Sequence, residues 1–159
     1  MNLWQYYDGD LKYPDLINQS YKKEIDKTNP KWAFEYVSKH GKDEDLEPII
    51  AKSVYHSFWY AKLILNGPFK LGEKAIATDA QWSYDYANRV LDGPFKLGEK
   101  AIAKIPGYSY AYAKSILDGP FKLGEKAIIK DKLCTKEYTE RVLKKDFYLG
   151  GKLICKYEG

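Results

Sequence analysis

"GPFKLGEKAI" stands at Gly67–Ile76, again at Gly93–Ile102 and again at Gly119–Ile128, without one substitution. The starting glycines lie 26 residues apart, and a fixed period of that length marks a chain built from small stacked units. One more step forward reaches "KDFYLGGKLI", Lys145–Ile154, where Phe147, Leu149, Gly150, Lys152 and Ile154 keep the template. One step back reaches "GKDEDLEPII", Gly41–Ile50, where Gly41, Glu47 and Ile50 survive. Three identical copies therefore sit between a worn first copy (41–50) and a degraded last copy (145–154).

The segments between the strings align in the same register. Tyr60, Tyr86, Tyr112 and Tyr138 coincide, followed by Ala61, Ala87, Ala113 and Thr139. In "DAQWSYDYANRVLDG" the residues Tyr84, Ala87, Val90 and Leu91 fall on one helical stripe. Ser53, Asp79 and Asp131 stand where an N-cap is needed, and Ile105 breaks that series with Pro106 behind it. Gly67, Gly93 and Gly119 read as left-handed helix ends, and the prolines that follow forbid continuation. "KLGEKAIA" is then long enough for about two helical turns, with Phe, Leu, Ala and Ile packing inward. Gly72, Gly98 and Gly124 read as points of close backbone approach. Lys70, Glu73, Lys74 and their equivalents read as surface residues, whose identity fits either recent duplication of DNA or a functional ladder of Lys and Glu along one edge of the stack. A unit this small cannot bury its own apolar face. The expected fold is an all-α solenoid of tandem 26-residue two-helix repeats over residues 31–159, with an N-terminal helical capping segment over 1–30.

The 159 residues suffice for one domain with a core, and 45% hydrophobic content excludes global disorder. A net charge of +4 is too mild to demand a polyanion. No run of apolar residues is long enough for a membrane span, and the first residues do not have a signal-peptide pattern. Cys134 and Cys155 lack metal-ligand spacing and read as free, buried thiols in a reducing cytosol, although a disulfide between them is compatible with the sequence.

"SYAYAKSILDGPFKLGEKAII", Ser109–Ile129, has one near-copy per period, and the frame resembles short tandem helical repeats of the form YAYxYAxxVLxGPFPxGExAIA. Such repeats occur in proteins of bacteriophages and other large DNA viruses. The resemblance covers about residues 31–159. It departs at Lys70, Lys96 and Lys122, where the pattern carries proline, and in the last copy, which loses both Gly and Pro. It implies viral origin and a helical array, and it supplies no catalytic residues.

Nothing in the chain assembles a catalytic constellation. His40 and His56 have no acidic partner at a repeated offset, and neither GxSxG, HExxH nor a phosphate-binding GxxxxGKS occurs. No enzyme activity, cofactor or metal is expected. Positions that differ between copies are the natural place for recognition. His56, Trp82, Tyr108 and Cys134 share one slot, Trp59, Asp85, Ala111 and Glu137 a second. Lys62, Asn88, Lys114 and Glu140 share a third, and Leu63, Arg89, Ser115 and Arg141 a fourth. The expected partner-binding residues are His56, Trp59, Trp82, Asp85, Arg89, Tyr108 and Lys114, because Trp, Tyr and Arg dominate protein hot spots. The expected function is a non-enzymatic protein-binding module acting in the host cytoplasm, where it blocks a host protein such as a defence effector. The alternatives are a nucleic-acid binder using Lys70, Lys96 and Lys122 with aromatic stacking, or a virion or assembly component. No membrane association is expected, and a homo-oligomer through the C-terminal repeat is compatible with an apolar exposed end.

Overall fold

The structure is a computed structural model that describes residues 28–159. All but Thr28–Pro30 of the capping segment expected at 1–30 lies outside the described residues. The described chain is mostly helical and ends in a two-stranded antiparallel sheet. In chain order it forms α1 (Pro30–His40), α2 (Glu47–Ile50), α3 (Val54–Trp59), α4 (Glu73–Ile76) and α5 (Ala80–Tyr86). There follow α6 (Glu99–Ile102), α7 (Pro106–Ser115), α8 (Glu125–Ile128), α9 (Lys132–Tyr138), β1 (Phe147–Leu149) and β2 (Lys152–Cys155).

The odd-numbered helices form one row, in which α1 touches α3, α3 touches α5, α5 touches α7 and α7 touches α9. The short helices form a second row. There α4 touches the 3-10 turn Lys96–Gly98 that leads into α6, and α6 touches the 3-10 turn Lys122–Gly124 that leads into α8. Between the rows lies a continuous core of Phe58, Tyr60, Phe69, Ile76, Tyr86, Phe95, Ile102, Tyr112, Phe121, Ile128, Tyr138 and Phe147.

Helix starts follow the sequence. Ser53, Asp79 and Asp131 accept from the backbone N–H of His56 (3.4 Å), Trp82 (3.0 Å) and Cys134 (2.8 Å), and Asn29 caps α1 ahead of Pro30. Ile105 offers no side-chain acceptor and relies on Pro106 at the first turn. Ile105→Asp is therefore expected to stabilise the protein by about 1 kcal/mol, read as a raised Tm in a circular-dichroism melt.

Helix ends differ from expectation. α3 continues as a π-helical turn over Tyr60–Leu65, α5 over Ala87–Leu91 and α9 over Thr139–Leu143. The left-handed residue after each of these turns is Asn66, Asp92 or Lys144, with φ of 47°, 48° and 50°, and Asp118 with φ of 44° plays the same part after α7, in place of the glycine that follows. Asn and Asp tolerate this conformation because their short polar side chains bond locally. Gly67, Gly93 and Gly119 have ordinary φ, and a Cβ on any of them would meet only a carbonyl oxygen at 3.6–3.8 Å.

Gly72, Gly98 and Gly124 are the glycines the packing requires. A Cβ on Gly98 would lie 2.5 Å from Phe95 Cδ1 and 2.5 Å from Ser83 Cβ. Ser57, Ser83 and Ser109 face these glycines, fully buried, and each donates its hydroxyl to a backbone carbonyl, of Ile50, Ile76 and Ile102. The fourth member of the series is the larger Thr135, and no side-chain or backbone atom lies within 4 Å of a Cβ on Gly150.

Of two further expectations in the short row, one holds and one fails. Each short α-helix has four residues, and in two copies the 3-10 turns Lys96–Gly98 and Lys122–Gly124 run straight into α6 and α8 to make about two turns. Leu71, Leu97 and Leu123 do not pack: they are 55%, 55% and 53% exposed.

The last copy is not a helix hairpin. β1 and β2 pair around Gly150 and Gly151, whose φ of +59° and +79° make the two-residue turn that suits right-twisted strands. Template positions occupied by Glu and Ala in the other copies are Gly151 and Leu153 here, so a helix loses its first-turn acid and its small packing residue. Phe147 keeps its role and packs edge-on against Tyr138, with ring centroids 5.4 Å apart. The exposed apolar end expected here is modified as well. Lys136 replaces the ring found at Phe58, Tyr84 and Tyr110, and it pairs with Glu158 of the C-terminal tail at 3.3 Å. Cys134 and Cys155 are both free thiols, half-buried and not fully buried.

Candidate functional site

The glutamates of the repeated string belong to the frame and not to the surface. Glu73 and Glu125 are buried, and Glu99 nearly so. Tyr86 donates its hydroxyl to Glu73 Oε1 at 3.2 Å, while the Tyr86 hydroxyl oxygen accepts the Phe69 N–H at 2.8 Å. Tyr112 does the same for Glu99 and Phe95 (3.1 and 2.9 Å), and Tyr138 for Glu125 and Phe121 (3.1 and 3.1 Å). Tyr60 serves Glu47 in the worn copy at 2.9 Å. Burial pushes all four phenol pKa values well above their ordinary value. Lys70, Lys96 and Lys122 close the network from outside, each within 3.0 Å of its Glu. The lysine ladder expected for phosphates is therefore already ion-paired.

The slot shared by His56, Trp82, Tyr108 and Cys134 faces the preceding copy. His56 lies 5.6 Å from Phe34, Trp82 5.0 Å from Phe58 and Tyr108 5.9 Å from Tyr84, centroid to centroid. These residues are half-buried and join adjacent copies. Burial, and then the charge of Lys31, lower the pKa of His56, whose Nδ1 sits 2.8 Å from Ser53 Oγ. Burial pushes the Cys134 thiol up to about 11, with the Asp131 carboxylate adding to it, so it stays protonated at neutral pH.

A different stripe has exposed positions on either side of a half-buried one. Tyr55, Trp59 and Leu63 run along the outer side of the first long repeat helix, and the equivalent positions are Gln81, Asp85, Arg89; Gly107, Ala111, Ser115; and Leu133, Glu137, Arg141. In every copy the first and third members are exposed and the middle one is half-buried. Their adjacency is direct in three copies. Tyr55 and Trp59 have centroids 6.2 Å apart, Arg89 Nε lies 3.3 Å from Asp85 Oδ1, and Arg141 pairs with Glu137. Trp82 meets Tyr55 edge-on at 5.6 Å, which widens the aromatic patch.

Of the expected partner-binding residues, the structure brings Trp59, Asp85 and Arg89 onto this stripe. Lys114 lies beside it, with Nζ 5.8 Å from the Tyr110 ring centroid. It places His56, Trp82 and Tyr108 at the junctions between copies. Tyr55, Gln81, Gly107 and Leu133 escaped the sequence reading, although their spacing of four residues before Trp59, Asp85, Ala111 and Glu137 put them on the same helical stripe.

Lys42, Glu47, Leu65, Pro68, Phe69 and Lys70 line an open hollow of about 410 Å³. Both of its lysines are ion-paired, Lys42 with Glu44 and Lys70 with Glu73. Among the described residues no group of three or more His, Cys, Asp or Glu side chains could hold a metal ion, and no helix is long and apolar enough to cross a membrane. Comparison of the chain with protein-family models, with curated proteins and with solved structures finds no match.

Proposed function

We propose that the chain is a non-enzymatic protein-binding module: an α-solenoid of 26-residue units whose outer stripe receives a partner. The observation that carries this reading is the contrast between copies. Ten residues per unit are identical in three copies, whereas all four copies differ at the first and second stripe positions. Contacts that repeat unchanged suit a uniform polymer. Contacts that change at every step suit a partner of defined sequence. The resemblance to viral repeats extends the reading to a host cytoplasmic protein, inhibited by occupation of its surface.

Affinity capture from host-cell lysate with mass spectrometry tests this. The expected result is one host protein retained stoichiometrically, with no salt-sensitive gel shift of single-stranded DNA or RNA at low ionic strength. A salt-sensitive shift without a retained protein would favour the nucleic-acid reading.

A further inference from the structure

We infer that the outer stripe receives one extended protein segment that carries an apolar anchor at one end and carboxylates toward the other. This rests on the protein-binding reading and adds the site, the direction and the chemistry of the occupant.

The four sets of stripe residues offer four different surfaces in a fixed order. The first is apolar: Tyr55 is 40% and Leu63 41% exposed, flanking half-buried Trp59, with Trp82 against Tyr55. Large rings with few rotatable bonds make strong anchors for a partner's aromatic or aliphatic side chain. The second and fourth are ion pairs of uneven exposure. The Arg89 side chain is 57% exposed above Asp85 at 16%, and Arg141 is 57% exposed above Glu137 at 30%. The outermost charges on the stripe are thus guanidinium groups, with the acids beneath them. Lys114, exposed beside the third set, has the same sign. A carboxylate on the partner can approach the outer side of either guanidinium, whose planar fork presents five donors.

The third set, Gly107, Ala111 and Ser115, is the smallest, and a Cβ on Gly107 would meet nothing within 4 Å, so there is room for a larger side chain of the partner between the two arginines.

Neighbouring packed helices lie roughly 8–10 Å apart, so three steps from Trp59 to Arg141 span about 24–30 Å. An extended segment of about eight or nine residues covers that length. The occupant therefore places its apolar anchor about three residues from a first acid and about eight from a second. A nucleic-acid backbone would suit the two guanidinium groups and Lys114 but leaves the apolar first set unmatched, whereas a protein segment can supply both an apolar side chain and carboxylates.

Selection from a displayed library of random peptides on the full chain tests the inference. The expected peptides share an aromatic or aliphatic residue with Asp or Glu at these distances. Their affinity falls at least tenfold for Tyr55→Ser/Leu63→Ser and for Arg89→Glu, and is unchanged for Leu71→Ser/Leu97→Ser/Leu123→Ser. Melting curves of all variants establish that each is folded, and Arg89→Glu carries the test if the apolar pair is not. Enriched peptides that bind the stripe variants as well as the parent overturn the inference. So does a dimer of the free chain that Tyr55→Ser/Leu63→Ser dissolves, since the occupant would then be a second copy. No enrichment, with a host protein still captured from lysate, leaves the protein-binding reading standing and removes the linear segment.

Discussion

Gly98→Ala is expected to destabilise the protein by about 1–3 kcal/mol, and Gly93→Ala, five residues earlier in the same string, to be neutral or slightly stabilising. At Gly98 a methyl group would stand 2.5 Å from both Phe95 Cδ1 and Ser83 Cβ. Phe95 is 3% exposed and Ser83 0%, so neither can move aside without opening the core. At Gly93 the nearest atom is a carbonyl oxygen at 3.8 Å and φ is not positive, so alanine removes freedom from the unfolded chain and meets nothing in the folded one. Paired thermal melts measure the contrast. Equal losses for both variants would refute the assignment of the left-handed position to Asp92.

Tyr86→Phe should cost about 1–3 kcal/mol, and Tyr60→Phe distinctly less. Removing the Tyr86 hydroxyl strands the buried Phe69 N–H and takes one of two partners from the buried Glu73 carboxylate, which keeps Lys70. Removing the Tyr60 hydroxyl strands no backbone N–H and affects only Glu47, whose side chain is 15% exposed against 9% for Glu73. The same tyrosines set an alkaline limit. Their folded-state pKa values are raised, so the unfolded chain loses protons first as pH climbs past about 10, and stability falls from there toward the folded-state values. Below that pH their contribution is fully present. Urea titrations from pH 8 to 11 should show a steepening loss in the parent and a shallower one in Tyr86→Phe.

The division of labour along the chain was legible where one residue and its near neighbours decide it. Ser53, Asp79 and Asp131 cap as their chemistry requires, Gly72, Gly98 and Gly124 mark close approach, and Phe95 and Ile102 are core. It was illegible where the deciding partner is distant. Glu73 looks like a surface acid until Tyr86, 13 residues on, is placed above it. Trp82 and Trp59 look alike as variable aromatics. Both pack on Phe58, and what separates them is that Trp82 does so from the next copy, whereas Trp59 lies between exposed Tyr55 and Leu63 on its own helix. The C-terminal hairpin had a readable signal in Gly150-Gly151 between Leu149 and Lys152, but the 26-residue template outweighed it.

Three baits in parallel test most directly whether recognition resides in the stripe while the identical string only builds the frame. They are the parent chain, the Tyr55→Ser/Leu63→Ser/Arg89→Glu variant and the Leu71→Ser/Leu97→Ser/Leu123→Ser variant, compared by quantitative mass spectrometry of captured host protein. The predicted result is a partner shared by the parent and the leucine variant and lost from the stripe variant, with all three folded. A partner that survives on the stripe variant and disappears from the leucine variant would contradict it.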